Sequence, residues 1–190
     1  SISFHLYLLK NLKELDLNNN RIKLIINETF KSLIKLEKLN LESNNINKIE
    51  QNAFKDLISL KEISLKKNEL EECSQNMFIN TLNLTQIDLS DNLLELWKED
   101  CLNENLKNLR IVLLKNNKLK NIILKNLPNL VYLNLFSNDL ERVSLVNLTI
   151  LDQLNIIYNN LNSLDSNQFI QLKNLRFFNL NQNYIRILKS

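Results

Sequence analysis

Leu36-Glu37-Lys38-Leu39-Asn40-Leu41-Glu42-Ser43-Asn44-Asn45-Ile46 alternates apolar and polar residues with period two, then breaks into asparagines. Such alternation describes a short strand with one buried face. Eleven residues cannot cover that face by themselves, so the stretch has a stable home only against copies of itself. Copies are present. The pattern L-x-x-L-x-L-x-x-N-x-L, with Ile, Val or Phe admitted at some leucine positions, starts at Leu12, Leu36, Leu60, Leu84, Leu109, Leu130, Leu151 and Leu175. The spacings are 24, 24, 24, 25, 21, 21 and 24 residues. A fixed period in this range is the signature of a solenoid.

The chemistry of the unit follows from its spacing. Inward pairs such as Leu15 with Leu17, Leu39 with Leu41 and Ile63 with Leu65 are buried only when successive units stack as a parallel sheet. The Asn of each unit (Asn20, Asn44, Asn68, Asn92, Asn117, Asn138, Asn159, Asn183) stands where the chain leaves the strand and the backbone loses its ladder partners. An amide side chain both donates and accepts, so a column of them is expected to satisfy those loop groups as a buried structural ladder. Behind it a further apolar column runs through Ile25, Ile49, Cys73, Trp97, Ile122, Val143, Leu164 and Leu188. Phe30, Phe54, Phe78 and Phe169, with Leu102 as the equivalent in repeat four, predict a spine on the opposite side. Repeats five and six are three residues short and lack the Phe, which predicts a thinner, more extended backbone there.

The whole chain, 1–190, therefore reads as one repeat array: a partial leading unit over 1–11 and eight repeats. The asparagine content, 35 of 190 residues, is in part this ladder and in part the bias of AT-rich coding sequence, in which Asn, Lys and Ile rise together. There is no glycine and a single proline, Pro128. Without glycine the usual phosphate-cradling loop cannot be built. Net charge is +3 with acids and bases well mixed, which argues against a dedicated nucleic-acid groove. No run of about 18 apolar residues occurs. His5 is the only histidine, and no Ser-His-Asp or Cys-His arrangement forms around it. Carboxylate pairs such as Glu71 with Glu72 read as loop surface. No catalytic residue, metal site or cofactor is expected.

The 24-residue form, with the Asn followed by x-L-x-x-I and then x-x-x-x-F-x-x-L, resembles the "typical" class of leucine-rich repeat over residues 12–188. That class is common in animal extracellular proteins, among them Toll-like receptors, Slit-type guidance proteins and small proteoglycans. The resemblance implies an α/β-type solenoid: a right-handed horseshoe with a parallel concave sheet and a mostly irregular or short-helical convex side. It also implies recognition of proteins or pathogen ligands, as a dimer or with a co-receptor. Two features depart from the class. The cysteine-rich caps that flank extracellular arrays are missing, so the array is expected to be part of a longer one. The 21-residue units resemble a shorter class found inside cells, which keeps an intracellular scaffold or enzyme-regulatory array as the alternative to an extracellular receptor or adhesion ectodomain.

Outward strand positions and those just after them line the concave face. In repeats one to four they are polar: Glu14, Asp16, Lys38, Asn40, Glu62, Ser64, Lys66, Lys67, Gln86 and Asp88. In repeats five to eight the apolar residues Ile111, Leu113, Tyr132, Phe136, Ile157, Tyr158, Phe177 and Tyr184 enter. A contiguous exposed apolar patch marks an interaction site, and these eight are the expected ligand-binding residues. The competing account is plain sheet surface, or contact with further chain. Sequons stand at Asn27, Asn83 and Asn147, about the number that 35 Asn and 17 Ser or Thr give by chance. Asn27 and Asn147 fall on convex or loop segments able to hold a glycan, whereas Asn83 directly precedes a core leucine. Lys107, Arg110, Lys115, Lys118, Lys120 and Lys125 cluster around repeat five and read as solvated surface. Cys73 lies in an inward column and Cys101 on the next unit's outer loop. A bridge needs Cα atoms within about 7 Å, and the different positions of the two in the unit lead to the expectation that they are unbridged.

Overall fold

A computed structural model of the chain describes residues 6–165, 169 and 171–189; His5 lies outside them. Eight three-residue strands form one parallel sheet in sequence order: Glu14–Asp16, Lys38–Asn40, Glu62–Ser64, Gln86–Asp88, Ile111–Leu113, Tyr132–Asn134, Gln153–Asn155 and Phe177–Asn179. The register is the repeat period itself. Leu39 lies between Leu15 and Ile63, and Leu133 between Val112 and Leu154, so the inward column is unbroken. The middle residue of each strand is buried in repeats two to seven. It is only partly covered in repeat one and exposed in repeat eight, where a neighbour lies on one side only.

The return side contains almost no helix. Among the described elements the one helical segment longer than a residue is the 3-10 turn Leu6–Leu8. Paired two- to five-residue strands and turns make up the rest. The Phe spine forms in the first three repeats: Phe30, Phe54 and Phe78 are buried, with successive ring centroids 6.0 Å apart and planes 19° and 11° off parallel. Leu102 continues it as a buried residue. Phe169 does not join the stack and packs on Phe178, 5.1 Å between centroids. In repeats five and six, where the Phe is missing, the return segments are the longest of the described strands, Asn121–Lys125 paired with Arg142–Val146. Losing three residues removes the turn that carried the Phe, and the backbone runs straight.

The asparagine ladder is present in every repeat. In the interior repeats each Nδ2 donates to two carbonyls of its own repeat and one of the repeat before, as Asn92 does to Leu89, Ser90 and Leu65. Each Oδ1 accepts the N–H eleven positions into the preceding repeat: Ile22, Ile46, Leu70, Leu94, Leu119, Leu140 and Leu161 donate to Asn44, Asn68, Asn92, Asn117, Asn138, Asn159 and Asn183. Asn20, in repeat one, is exposed and, among the described residues, donates within its own repeat. Two further Asn or Asp columns absorb more of the composition. The fifth-position residues Asp16, Asn40, Asp88, Asn134, Asn155 and Asn179 each accept the N–H two residues on, closing an Asx turn at the strand end. Asn83, Asn108, Asn129 and Asn174, each just before a repeat's first leucine, donate to a carbonyl of the preceding repeat.

The turn after each strand needs one residue with positive φ, and a chain without glycine fills it with others. The eighth positions Asn19, Ser43, Lys67, Asp91, Asn116, Ser137, Tyr158 and Gln182 all lie at φ between 53° and 57°. Asn and Asp tolerate this region; for Lys, Gln and above all Tyr the contact of Cβ with the backbone costs about 1–2 kcal/mol.

The expectation for the cysteines is overturned. Cys73 and Cys101 form a disulfide, with Cα atoms 5.6 Å apart and both residues fully buried. Position in the unit misled because the chain folds back after the return strand of repeat four. The Lys98 N–H donates to the Cys73 carbonyl at 3.2 Å, and a turn closed by the Cys101 N–H on the Lys98 carbonyl (2.9 Å) sets Cys101 above Cys73. Of the remaining inward column, Ile25, Ile49, Ile122 and Val143 are buried. Trp97 is half-buried, its indole N–H donating to the Ile123 carbonyl at 3.2 Å, and Leu164 is half-buried while Leu188 is exposed.

Candidate binding surface

The eight-stranded sheet has one covered face and one open face. On the open face the third, fifth, seventh and eighth positions of every repeat line up, and their chemistry divides sharply between repeats four and five. Repeats one to four hold six acids there, Glu14, Asp16, Glu42, Glu62, Asp88 and Asp91, against three bases, Lys38, Lys66 and Lys67. All three lysines are engaged: Lys38 with Glu62 at 3.5 Å, and Lys66 and Lys67 with Glu42 at 3.3 Å each. Glu14, Asp16, Asp88 and Asp91 have no ion-pair partner among the described residues, so this half of the face is net negative on a chain of net charge +3. In repeats five to eight the same positions hold no acid and one base, Lys115, and take up Ile111, Leu113, Tyr132, Phe136, Ile157, Tyr158 and Phe177.

Ile111 and Leu113 stand opposite Tyr132 and Asn134 in register, and all of Ile111, Leu113, Tyr132, Phe136 and Ile157 are half-buried against one another and the sheet. Tyr158 is 53% exposed and meets the Phe136 ring edge-on, centroids 5.5 Å apart and planes at 79°. The Tyr132 hydroxyl accepts from Asn134 Nδ2 at 3.2 Å. Phe177, 61% exposed, lies under the Arg176 guanidinium, which is 6.0 Å from the ring centre. Arg176 also grips Asp152 with two donors. That grip holds the Asp152 carboxyl below the usual carboxylate range and raises the arginine. Seven of the eight expected residues thus share one face. Tyr184 stands apart: one position beyond the ladder Asn183, it borders a surface hollow with Asn162, Ser163, Arg186 and Ile187 on the return side.

The sequons lie off this face. Asn27 and Asn147 are exposed on return-side turns, Asn147 donating from Nδ2 to Asn126 Oδ1 at 2.8 Å. Asn83 is exposed, but its Nδ2 is committed to the Ile58 carbonyl at 2.7 Å. The basic group of repeat five is dispersed, with Lys118 on Glu95 at 3.5 Å and Lys125 on Glu99. Among the described residues no three His, Cys, Asp or Glu side chains come together to hold a metal ion. No helix among the described residues is long and apolar enough to cross a membrane.

Residues 5–46 and 34–94 match the family model described as leucine rich repeat. No curated protein matches the sequence. Solved structures do. Toll of Drosophila, in its complex with Spatzle, superposes with a TM-score of 0.81 at 22% identity over 93% of this chain, a likeness of fold. A leucine-rich repeat protein of Leptospira interrogans gives 0.77 at 26% identity over 97%. TLR13, solved with a single-stranded RNA, gives 0.69 at 25% identity over 92%. This chain spans 26%, 50% and 30% of those three chains respectively. Eight registered units, the continuous parallel sheet and these superpositions agree: the chain folds as a leucine-rich repeat solenoid whose array resembles those of Toll-like ectodomains.

Proposed function

We propose that the array is a recognition module of an extracellular receptor or adhesion ectodomain, and that it binds a protein on the open face of repeats five to eight. The observation that carries this reading is the aromatic and aliphatic group around Phe136 and Tyr158. It has no core to enter, and exposed apolar surface of this kind is where binding energy concentrates. Recognition rather than reaction is the proposed role, in keeping with the likeness to leucine-rich repeat arrays. The buried Cys73–Cys101 disulfide favours an oxidising compartment and outweighs the 21-residue units, which favour the intracellular alternative. A role in innate immunity rests on the likeness to Toll and TLR13 alone. The TLR13 structure holds an RNA, but the negative half of the face here opposes phosphate, which supports a protein ligand.

In the secreted protein Asn27 and Asn147 are the proposed glycan carriers, ahead of Asn83, and all three leave the open face bare. The array is proposed as a single unit whose partners include a second copy or a co-receptor. A photo-crosslinking residue placed at Ile157 of the cell-surface protein is expected to capture a protein partner, and the same residue at Lys48 on the return side is not. Tyr132→Ser with Phe136→Ser should abolish the capture. Equal capture from both positions, or capture unchanged by the double substitution, refutes the concave assignment.

A further inference from the structure

We infer that the partner is a protein segment cationic at one end and apolar at the other, laid along the sheet so that its apolar end seats on Phe136 and Tyr158 and its basic end lies over repeats one to three. The inference rests on the proposed concave binding and adds the chemistry of the ligand. Three observations carry it. At the third, fifth, seventh and eighth positions the division is complete: every aromatic or aliphatic residue belongs to repeats five to eight, and every acid to repeats one to four, while Asp152 at a second position of repeat seven is neutralised by Arg176. The lysines among those acids are already paired, so the surplus is negative and available to a cation. The apolar end is held at a conformational cost, because Tyr158 occupies a left-handed position, φ 55°, that Asn, Asp or Ser fills in five other repeats. A bulky residue in that region signals that something other than stability keeps it there.

The two zones also set a length. The centre of the acidic half, between repeats two and three, and the Phe136–Tyr158 pair, at repeats six and seven, are four strand spacings apart, about 19 Å. An extended segment covers that in about six residues. A compact cationic knob would touch one zone only. Charge on the partner steers the encounter, and the apolar anchor slows its departure.

The test uses the 190-residue chain and three synthetic peptides. One carries Trp and Leu at one end and four lysines at the other, separated by about six residues; the second has glutamates for lysines; the third lacks the Trp and Leu. Affinity is read by fluorescence anisotropy and the contact surface by amide chemical-shift mapping. The lysine peptide is expected to bind about tenfold or more tightly than either of the others, and to shift amides of both zones. Glu14→Lys with Glu62→Lys should remove that advantage. These third-position glutamates carry no turn-closing bond, unlike Asp16 and Asp88, so the fold is retained, as circular dichroism checks. Equal binding of the glutamate peptide, or indifference to the two substitutions, overturns the cationic half while leaving concave binding standing. Absence of any shift on the open face with all three peptides overturns the inference, and the crosslinking at Ile157 then judges the underlying reading separately.

Discussion

Replacing Asn92 by Leu is expected to lower stability by about 3–4 kcal/mol, and the hydrogen bonds decide the figure. Asn92 is 5% exposed. Its Nδ2 donates to the carbonyls of Leu65 (3.0 Å), Leu89 (3.1 Å) and Ser90 (3.1 Å). Each of these has a second donor: Asn68 Nδ2 on Leu65, Asn117 Nδ2 on Leu89 and the Lys67 N–H on Ser90. Losing Asn92 therefore weakens three carbonyls without stranding them, about 0.5 kcal/mol apiece. The Leu70 N–H is different. Its partner among the described residues is Asn92 Oδ1, at 3.1 Å, and Leu70 is buried. An orphaned buried donor costs about 1–3 kcal/mol, which brings the total to the stated value. Asn20→Leu is the internal control. Asn20 is exposed, and the Leu17 carbonyl it serves also accepts from Asn44, so less than about 1 kcal/mol is expected. Urea unfolding followed by circular dichroism and by the fluorescence of Trp97, the single tryptophan, measures both. Because stability in a solenoid is a sum of neighbour terms, the two probes should separate in Asn92→Leu once the Cys73–Cys101 disulfide, which holds the same seam between repeats three and four, is reduced. Equal losses at Asn92 and Asn20 would refute the ladder as the source of the coupling.

Three further outcomes follow from the same accounting. Reducing Cys73–Cys101, whose sequence separation is 28, should destabilise the chain by about 3.5 kcal/mol on loop entropy, seen as a lower urea midpoint in dithiothreitol that a Cys73→Ala, Cys101→Ala variant no longer shows. Lys67→Asn, which puts a tolerant residue at φ 53°, should raise stability by about 0.5–1 kcal/mol, or roughly 2–3 °C in Tm; an unchanged or lower Tm contradicts the assignment of strain. Asp152 and Glu37 are depressed, first by their hydrogen bonds to Arg176 and Lys61. For a carboxylate lowered by folding, the linked stability is present above its unfolded value and is lost as pH falls through the folded one. The expected loss therefore lies below the ordinary carboxylate values of 3.8 and 4.5, and carboxyl-carbon NMR titration should find Asp152 returning toward its ordinary range in Arg176→Gln.

The period was readable because each inward leucine repeats at the same offset, and one aligned unit fixes the register of all the others. The ladder was readable for the same reason, an Asn at one offset in eight units. The fifth-position Asx column and the Asn before five of the eight first leucines carry the same kind of signal, in Asp16, Asn40 and Asp88 or in Asn83, Asn108 and Asn129. They escape notice because the strand alternation already accounts for a polar residue there. The disulfide was hidden for another reason. Cys73 and Cys101 hold unlike offsets, and only the fold-back at Lys98 brings them together. Tyr184 follows the turn instead of preceding it, which alternation along the strand cannot register.

Several boundaries fall close to the place where the repeat shortens from 24 and 25 residues to 21. The stacked Phe spine ends at Phe78 in repeat three. The disulfide joins repeats three and four. The return side becomes extended from Asn121 in repeat five, and the open face turns from acidic to apolar between Asp91 and Ile111. A spine of stacked rings thickens the return side of the first repeats, and extended strands thin it in repeats five and six. The distance between successive units on that side must therefore change at the junction, while on the sheet side it stays at the strand spacing of about 4.8 Å. A covalent link across repeats three and four opposes their separation at the point where the aromatic stacking stops. The apolar patch begins beyond that link. The link itself lies inside the acidic half and holds repeats three and four together one repeat before the boundary with the apolar half.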